Sequence, residues 1–322
     1  MKLVTIGGKP IRVNGKFQIQ KKWWRLEIET TGASQAYSFN IASGSDIDLD
    51  VDWGDGTVET ITTTGIKSHT YADAGTYYMR IRGSGTGLSI RQDSTSGYAN
   101  AQKVKSTSAI RGIQGIVNFQ ETFRNTAITR IPADLFRYNT LVSTSGFSHT
   151  FLGCTGLTSI PADLFRYNTL VSTSGFRYTF YGCTGLTSIP TDLFKYNTLV
   201  STDGFFYTFY GCSGLEVAPD GLFKYNTAVD SWQGCFQNCT KLQLSQYMFY
   251  DAGGETTRFL NQSPDFASFV SRSSFSGTQG TAPALWDCSY GTGTPTSTSA
   301  FAGAGNSTTS LTNYNDIPAG WK

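Results

Sequence analysis

The sequence predicts a mainly β chain in two parts, a small immunoglobulin-like β-sandwich followed by a solenoid of stacked repeats. Between residues 109 and 241 one phrase returns every 29 residues, opening at Ile131-Pro132, Ile160-Pro161 and Ile189-Pro190, with a looser copy at Ala218-Pro219. A period of that length belongs to units that bury their apolar side only by stacking on neighbours. Ahead of the repeats, residues 24–81 alternate apolar and polar positions in short runs separated by turn residues, the mark of half-buried strands. The 322 residues include 35 Gly among abundant Ser and Thr, which favours short strands and tight turns over long helices.

Residues 1–21 hold two strand-forming pieces, Leu3-Val4-Thr5-Ile6 and Ile11-Arg12-Val13, with Gly7-Gly8 and Asn14-Gly15 as turn signals. They carry too little apolar surface for a core of their own, so they are expected to form an arm that attaches to a larger assembly. The start has no continuous apolar run before Lys9, unlike a signal peptide. Two expectations follow: the chain reaches its place by assembling with other proteins, or a leader was removed ahead of this numbering. No stretch approaches the roughly 20 apolar residues of a membrane span, so no membrane insertion is expected. A net charge of +2, with 15% charged residues, offers no field to draw in nucleic acid.

From Trp23 the strand pattern strengthens. Trp24, Leu26 and Ile28 share one face and Arg25, Glu27 and Glu29 the other; runs at 37–41, 47–53, 57–61, 69–71 and 77–81 follow, with one more strand expected around Leu88–Ile90. Val51-Asp52-Trp53-Gly54-Asp55-Gly56-Thr57 and the later His69-Thr70-Tyr71, with Gly75-Thr76-Tyr77, resemble the polycystic-kidney-disease-type (PKD) immunoglobulin-like family. The resemblance covers about residues 22–92 and implies a non-enzymatic spacer or adhesive module. Asp46, Asp48, Asp50, Asp52 and Asp55 alternate along this stretch. They could gather oxygen ligands for calcium, or form the solvent side of a strand whose apolar face is Ile47, Leu49, Val51 and Trp53. Parity favours the second, and no metal is assigned.

Each unit of the repeat region, residues 93–241, supplies Leu157, Leu186 and Leu215 to one inward ladder. Ile160, Ile189 and Ala218 form another, and Leu135, Leu164, Leu193 and Leu222 a third. Phe123, Phe151, Phe180, Phe209 and Phe236 open successive units, with echoes at Phe275 and Phe301, so residues 242–322 are expected to be degenerate repeats or a cap. Asn139, Asn168, Asn197 and Asn226 align, as amides that satisfy turn backbone do. Each proline precedes an expected single helical turn in which Asp134, Asp163 and Asp192 lie three residues before Arg137, Arg166 and Lys195, close enough for exposed ion pairs. This basic column, including Lys224, balances charge or forms an anion track. Cys154, Cys183 and Cys212 fall at equivalent points and suit a buried packing column; a disulfide between adjacent units stays open, and Cys235/Cys239 lack partners with zinc spacing. The Gly-Cys-Thr-Gly-Leu-Thr-Ser-Ile-Pro phrase at 182–190 resembles the leucine-rich repeats of BspA-like bacterial surface proteins.

His149, Tyr178 and Tyr207 form one further column and Leu152, Tyr181 and Tyr210 another. Because the phenylalanines already supply a core, His149, Tyr178, Tyr181, Tyr207 and Tyr210 are the candidate contact surface for protein or glycan; the second reading makes them a lid over the core. With two histidines in the chain and neither in a catalytic or metal-binding spacing, no enzyme and no cofactor are expected. The combined resemblances imply a virion structural or decoration protein, of head or tail-fibre type, from a phage of gut bacteria. Its expected partners are other virion proteins through the arm, a host surface glycan or protein, and further copies of itself. The alternative is a BspA-like adhesin on the bacterial surface.

Overall fold

The computed structural model describes residues 5–6, 9–10, 22–250, 256–271, 280–304 and 311–322. The expected arm, residues 1–21, lies outside them except for β1 (Thr5–Ile6) and β2 (Lys9–Pro10), which pair antiparallel. The fold is mainly β. Among the described residues the α-helical content is the five-residue α1 (Gly97–Ala101).

The alternating residues build one seven-stranded sheet from β3 (Trp24–Thr30), β4 (Gln35–Asp52), β5 (Val58–Ile61), β6 (Gly65–Tyr71), β7 (Gly75–Gln92), β8 (Val104–Thr107) and β9 (Ile113–Asn118). The main order is β5-β4-β7-β3-β8, with β6 also on β4 and β9 parallel to β7. The runs expected as separate strands at 37–41 and 47–53 are one continuous β4. It pairs with β6 along its first part and with β5 along its last. Register shifts between Ile41 and Asp48 let the strand bend without breaking, and the expected Leu88–Ile90 strand is likewise the end of β7. Glycine is required on the facing strand: Gly83 has φ +134°, and a Cβ there would lie 2.0 Å from the Asp48 carbonyl oxygen.

Trp24, Leu26, Ile28, Tyr37, Phe39, Leu49, Val51 and Trp53 are all buried, as alternation requires. On the opposite parity, Asp50 pairs with Arg82 and Asp52 with Arg80, while Asp55 lies 2.6 Å from His69. These carboxylates are spent on neighbours across the sheet and do not converge. Among the described residues there is no group of three or more His, Cys, Asp or Glu placed to hold a metal ion.

The expected division at residue 92 falls inside the sheet, because β8 adds to β3 and β9 to β7. A polar latch secures the crossing. The Asp93 carboxylate accepts from Ser38 Oγ at 2.7 Å, Thr95 Oγ1 at 2.6 Å, the Thr95 amide at 2.9 Å, and Ser96. Asn100 clasps the Ser38 backbone at both its amide and its carbonyl. Burial opposes ionisation of Asp93, but the hydrogen bonds from Ser96, Thr95 and Ser38 outweigh it and lower its pKa to about 2. A depressed carboxylate stabilises fully above its unfolded value near ~4, and the contribution is lost as pH falls through about 2. Asp93→Asn should therefore be less stable at neutral pH by about 2 kcal/mol. In urea melts at pH 7, 4 and 2, the wild type should lose this increment between pH 4 and 2, whereas the variant should not.

Beyond Asn118 the 29-residue copies stack in register. The amides of Phe147, His149, Phe151 and Gly153 donate to the carbonyls of Gly175, Arg177, Thr179 and Tyr181 in the next copy. The intervening amides of Ser148, Thr150, Leu152 and Cys154 close turns within their own copy, three residues back. Three phenylalanine ladders fill the interior. Phe123, Phe151, Phe180, Phe209 and Phe236 stack at 5.4–5.5 Å. Phe119, Phe147, Phe176 and Phe205 run beside them, as do Phe136, Phe165, Phe194 and Phe223. The leucine and isoleucine ladders read from the sequence are buried. After each proline the chain makes turns closed by amides bonding three residues back, such as Leu135 to Pro132 and Arg137 to Asp134, tighter than an α-helical turn.

Buried polar side chains tie each copy to the one before. Thr150, Thr179 and Thr208 donate to the carbonyls of Phe119, Phe147 and Phe176, and Thr122 makes the same bond to Ile90 of β7, joining the stack to the sheet. The thiols of Cys154, Cys183, Cys212 and Cys239 donate to Phe123, Phe151, Phe180 and Phe209. All six cysteines are free, and burial pushes the Cys154 thiol up to about 12, so it packs as a protonated group. Asn197 Nδ2 donates to the carbonyls of Phe165 and Asn168, and Asn168 and Asn226 repeat the pattern. Asn197→Ala should cost about 1–3 kcal/mol by removing two buried hydrogen bonds between copies, leaving those carbonyls only the turn amides of Asn168 and Val171, measured as a lower melting midpoint. Asn197→Asp should cost more, since an ionised carboxylate cannot donate to them.

After Phe236 the copies lengthen. Val270 takes the place next to Phe236 and Phe301 the place after it, as the amide of Phe236 donates to Phe269 and that of Val270 to Ala300. The echo expected at Phe275 lies outside the described residues. Arg258, also buried, donates to the Asn226 carbonyl and so continues the asparagine column with a different side chain.

Candidate contact surface

The stack turns a corner at every fourth residue of one segment, and each corner needs positive φ. In one copy these are Ser145, His149 and Gly153, at φ 52°, 56° and 71°. The middle corner is held in successive copies by Glu121, His149, Tyr178, Tyr207, Gly234, Ser268 and Ser299, all between 52° and 59°. Glycine takes such a corner at no steric cost, whereas any side chain, serine included, adds a cost of roughly 1–2 kcal/mol for its Cβ. At three consecutive corners, His149, Tyr178 and Tyr207, the side chain is aromatic.

The rings stack along the axis. His149 lies 4.7 Å from Tyr178, Tyr178 lies 5.4 Å from Tyr207 at 4°, and Tyr181 lies 4.5 Å from Tyr210 at 5°. A stacked pair returns about 0.5–1.5 kcal/mol. Since Ser268 and Ser299 hold the same corner with no ring, the aromatics are not needed to make the turn.

All five residues singled out from the sequence, His149, Tyr178, Tyr181, Tyr207 and Tyr210, come together around one open trough of about 590 Å³. Each is half-buried. Between columns the rings splay, with Tyr178 tilted 53° to Tyr181 and Tyr207 58° to Tyr210. Because ring faces within a column cover one another, the trough meets a ligand mainly with ring edges and hydroxyls. Arg124, Leu152, Phe206 and Gln237 complete the lining. Phe206 packs edge-on to Tyr178 and Tyr207, and Arg177 lies 4.7 Å over Phe206 while pairing with Asp203 at 3.2 Å.

Electrostatically the trough is mild. Burial lowers the His149 pKa, Glu121 opposes this, and Arg124, Arg177 and Arg91 reinforce it. The imidazole is therefore neutral at pH 7, with Nδ1 2.7 Å from Ser148 Oγ. Burial raises the phenols of Tyr181 and Tyr207, which stay protonated and able to donate. Asn238 Nδ2 donates to Tyr210 at 3.0 Å, fixing the far end of that column. Hydroxyl donors, ring edges, one guanidinium and one amide suit recognition of a polar chain or a protein surface.

Arg124, Phe206 and Gln237 were missed in the sequence. The available signal was departure from the repeat: the position of Phe206 is Arg177 in one copy and Ser148 in another. Comparison with protein-family models, with curated proteins and with solved structures finds no match.

Proposed function

We propose that this chain is a non-enzymatic structural protein of a virion surface, combining a PKD-type immunoglobulin-like module with a leucine-rich-repeat solenoid that attaches through its aromatic trough. The observation carrying this reading is the row of stacked, half-buried aromatics that line one open trough on a repeating scaffold. Such a surface gains affinity with little ordering cost, since its side chains are already fixed. Many copies on one particle would multiply modest single-site affinity through effective concentration. The N-terminal residues would join the chain to other virion proteins, and the ligand would be a host surface glycan or protein.

The likeness of the 182–190 phrase to BspA-like repeats favours a second reading, a bacterial cell-surface adhesin that uses the same trough. An antibody raised against the chain separates the two. Labelling of purified phage particles supports the virion protein, labelling of intact bacteria grown without phage supports the adhesin, and labelling of neither overturns both.

A further inference from the structure

Where the sheet meets the start of the stack there is a cavity of about 340 Å³, walled by Trp23, Arg25 of β3, Arg80 of β7, Arg111 and Asp134. Its arginines are in conflict. Arg25 and Arg80 are cross-strand partners in the β3/β7 register, and like charges directly opposite one another are destabilising. Arg80 is answered by Asp52, Arg111 by Asp134, and Arg82, which covers the Trp23 ring at 4.2 Å, by Asp50. Arg25, by contrast, has no carboxylate within ion-pair reach among the described residues and lies 5.9 Å from the Tyr78 ring centroid. The chain up to this point cannot supply one, since residues 1–25 contain seven Lys or Arg and no Asp or Glu. Just outside the cavity, Lys22 over Tyr138 and Glu27, bonded by Ser106, add one charge of each sign. The excess is therefore a single positive charge, at Arg25. A local conflict that the fold does not need points to a site.

The wall selects a ligand with one negative charge and several hydroxyls. One excess cation suits a monoanion, and the planar guanidinium fork matches a carboxylate through two hydrogen bonds. Asp134 on the same wall repels a polyanion but accepts from hydroxyls. Arg80 and Arg111 each have five N–H donors, more than their aspartates use, so both can donate to hydroxyl oxygens. Trp23 is half-buried and gives the cavity an apolar flank suited to the face of a sugar ring. An Asp or Glu side chain of a peptide brings its carboxylate on a thin stem, without hydroxyls for the wall or bulk for the cavity.

We propose that this cavity binds a uronic-acid unit of an acidic glycan, with the carboxylate on Arg25 and the hydroxyls on Arg80, Arg111 and Asp134. The site shares no residue with the aromatic trough and does not depend on the attachment role.

Ligand-detected NMR titration of the full chain with D-galacturonate and D-glucuronate tests it, with galactose and glucose as neutral counterparts and tetraglutamate as the acidic peptide. At least one uronate should bind in the millimolar range or tighter, and its neutral counterpart and tetraglutamate at least about tenfold more weakly. Arg25→Gln should weaken uronate binding by at least about tenfold. Its melting midpoint should not fall, because the change removes a like charge opposite Arg80. Failure of both uronates to bind, equal binding of the neutral sugars, or wild-type affinity in Arg25→Gln overturns the proposal. Tetraglutamate binding as tightly as the uronates also overturns it, and assigns the cavity to an acidic peptide.

Discussion

Leu186→Asp should lower the melting midpoint by about 10 °C or more, or abolish the cooperative transition. Leu186 is fully buried, and so are Leu157 and Leu215, its neighbours in the ladder. A carboxylate there meets no cation and no solvent, so the substitution combines lost burial, a cavity and an uncompensated charge, a combination that exceeds about 4 kcal/mol. The damage should spread, because each copy buries its apolar side only against the copies that flank it. Thr187→Asp is the control. That side chain is exposed in the same copy, and the change should stay within about 0.5 kcal/mol. Equal melting of the two variants would contradict the inward assignment.

The second large effect is on attachment. Tyr178→Ser/Tyr207→Ser removes two stacked rings and leaves a residue type already tolerated at the equivalent corners Ser268 and Ser299. Serine holds the same corner elsewhere in the stack, and the lost stacking is about 0.5–1.5 kcal/mol per pair, so the fold should persist. Binding to the host surface or neighbouring protein should fall. At about 1 kcal/mol per ring the loss is roughly 30-fold at a single site, and larger where many copies act together. Unaltered binding by the folded double variant would place recognition elsewhere on the chain.

Much of the scaffold was legible because buried positions recur with the period of the structure. Inward ladders such as Leu157–Leu186–Leu215 need only the spacing and the hydrophobicity of the residues. The strand parity of 24–28 and 47–53 was legible for the same reason. The path of β4 was not, since Ser43-Gly44-Ser45 reads as a turn, whereas bulges let the backbone bend and remain paired. Nor was the place of Val270: lengthening after Phe236 moved the register, and a valine filled a site whose earlier occupants were aromatic. The corners at His149, Tyr178 and Tyr207 carry no glycine, so nothing in residue type marks positive φ there.

The central claim, that the aromatic trough is the attachment surface, is tested most directly by oxidative footprinting of tyrosine side chains with the chain free and then bound to its host surface or neighbouring protein. Tyr178, Tyr181, Tyr207 and Tyr210 should be protected on binding, while Tyr78 and Tyr98, exposed on the sheet and on α1, keep their reactivity. Unchanged reactivity at those four, with protection appearing elsewhere, would contradict the claim.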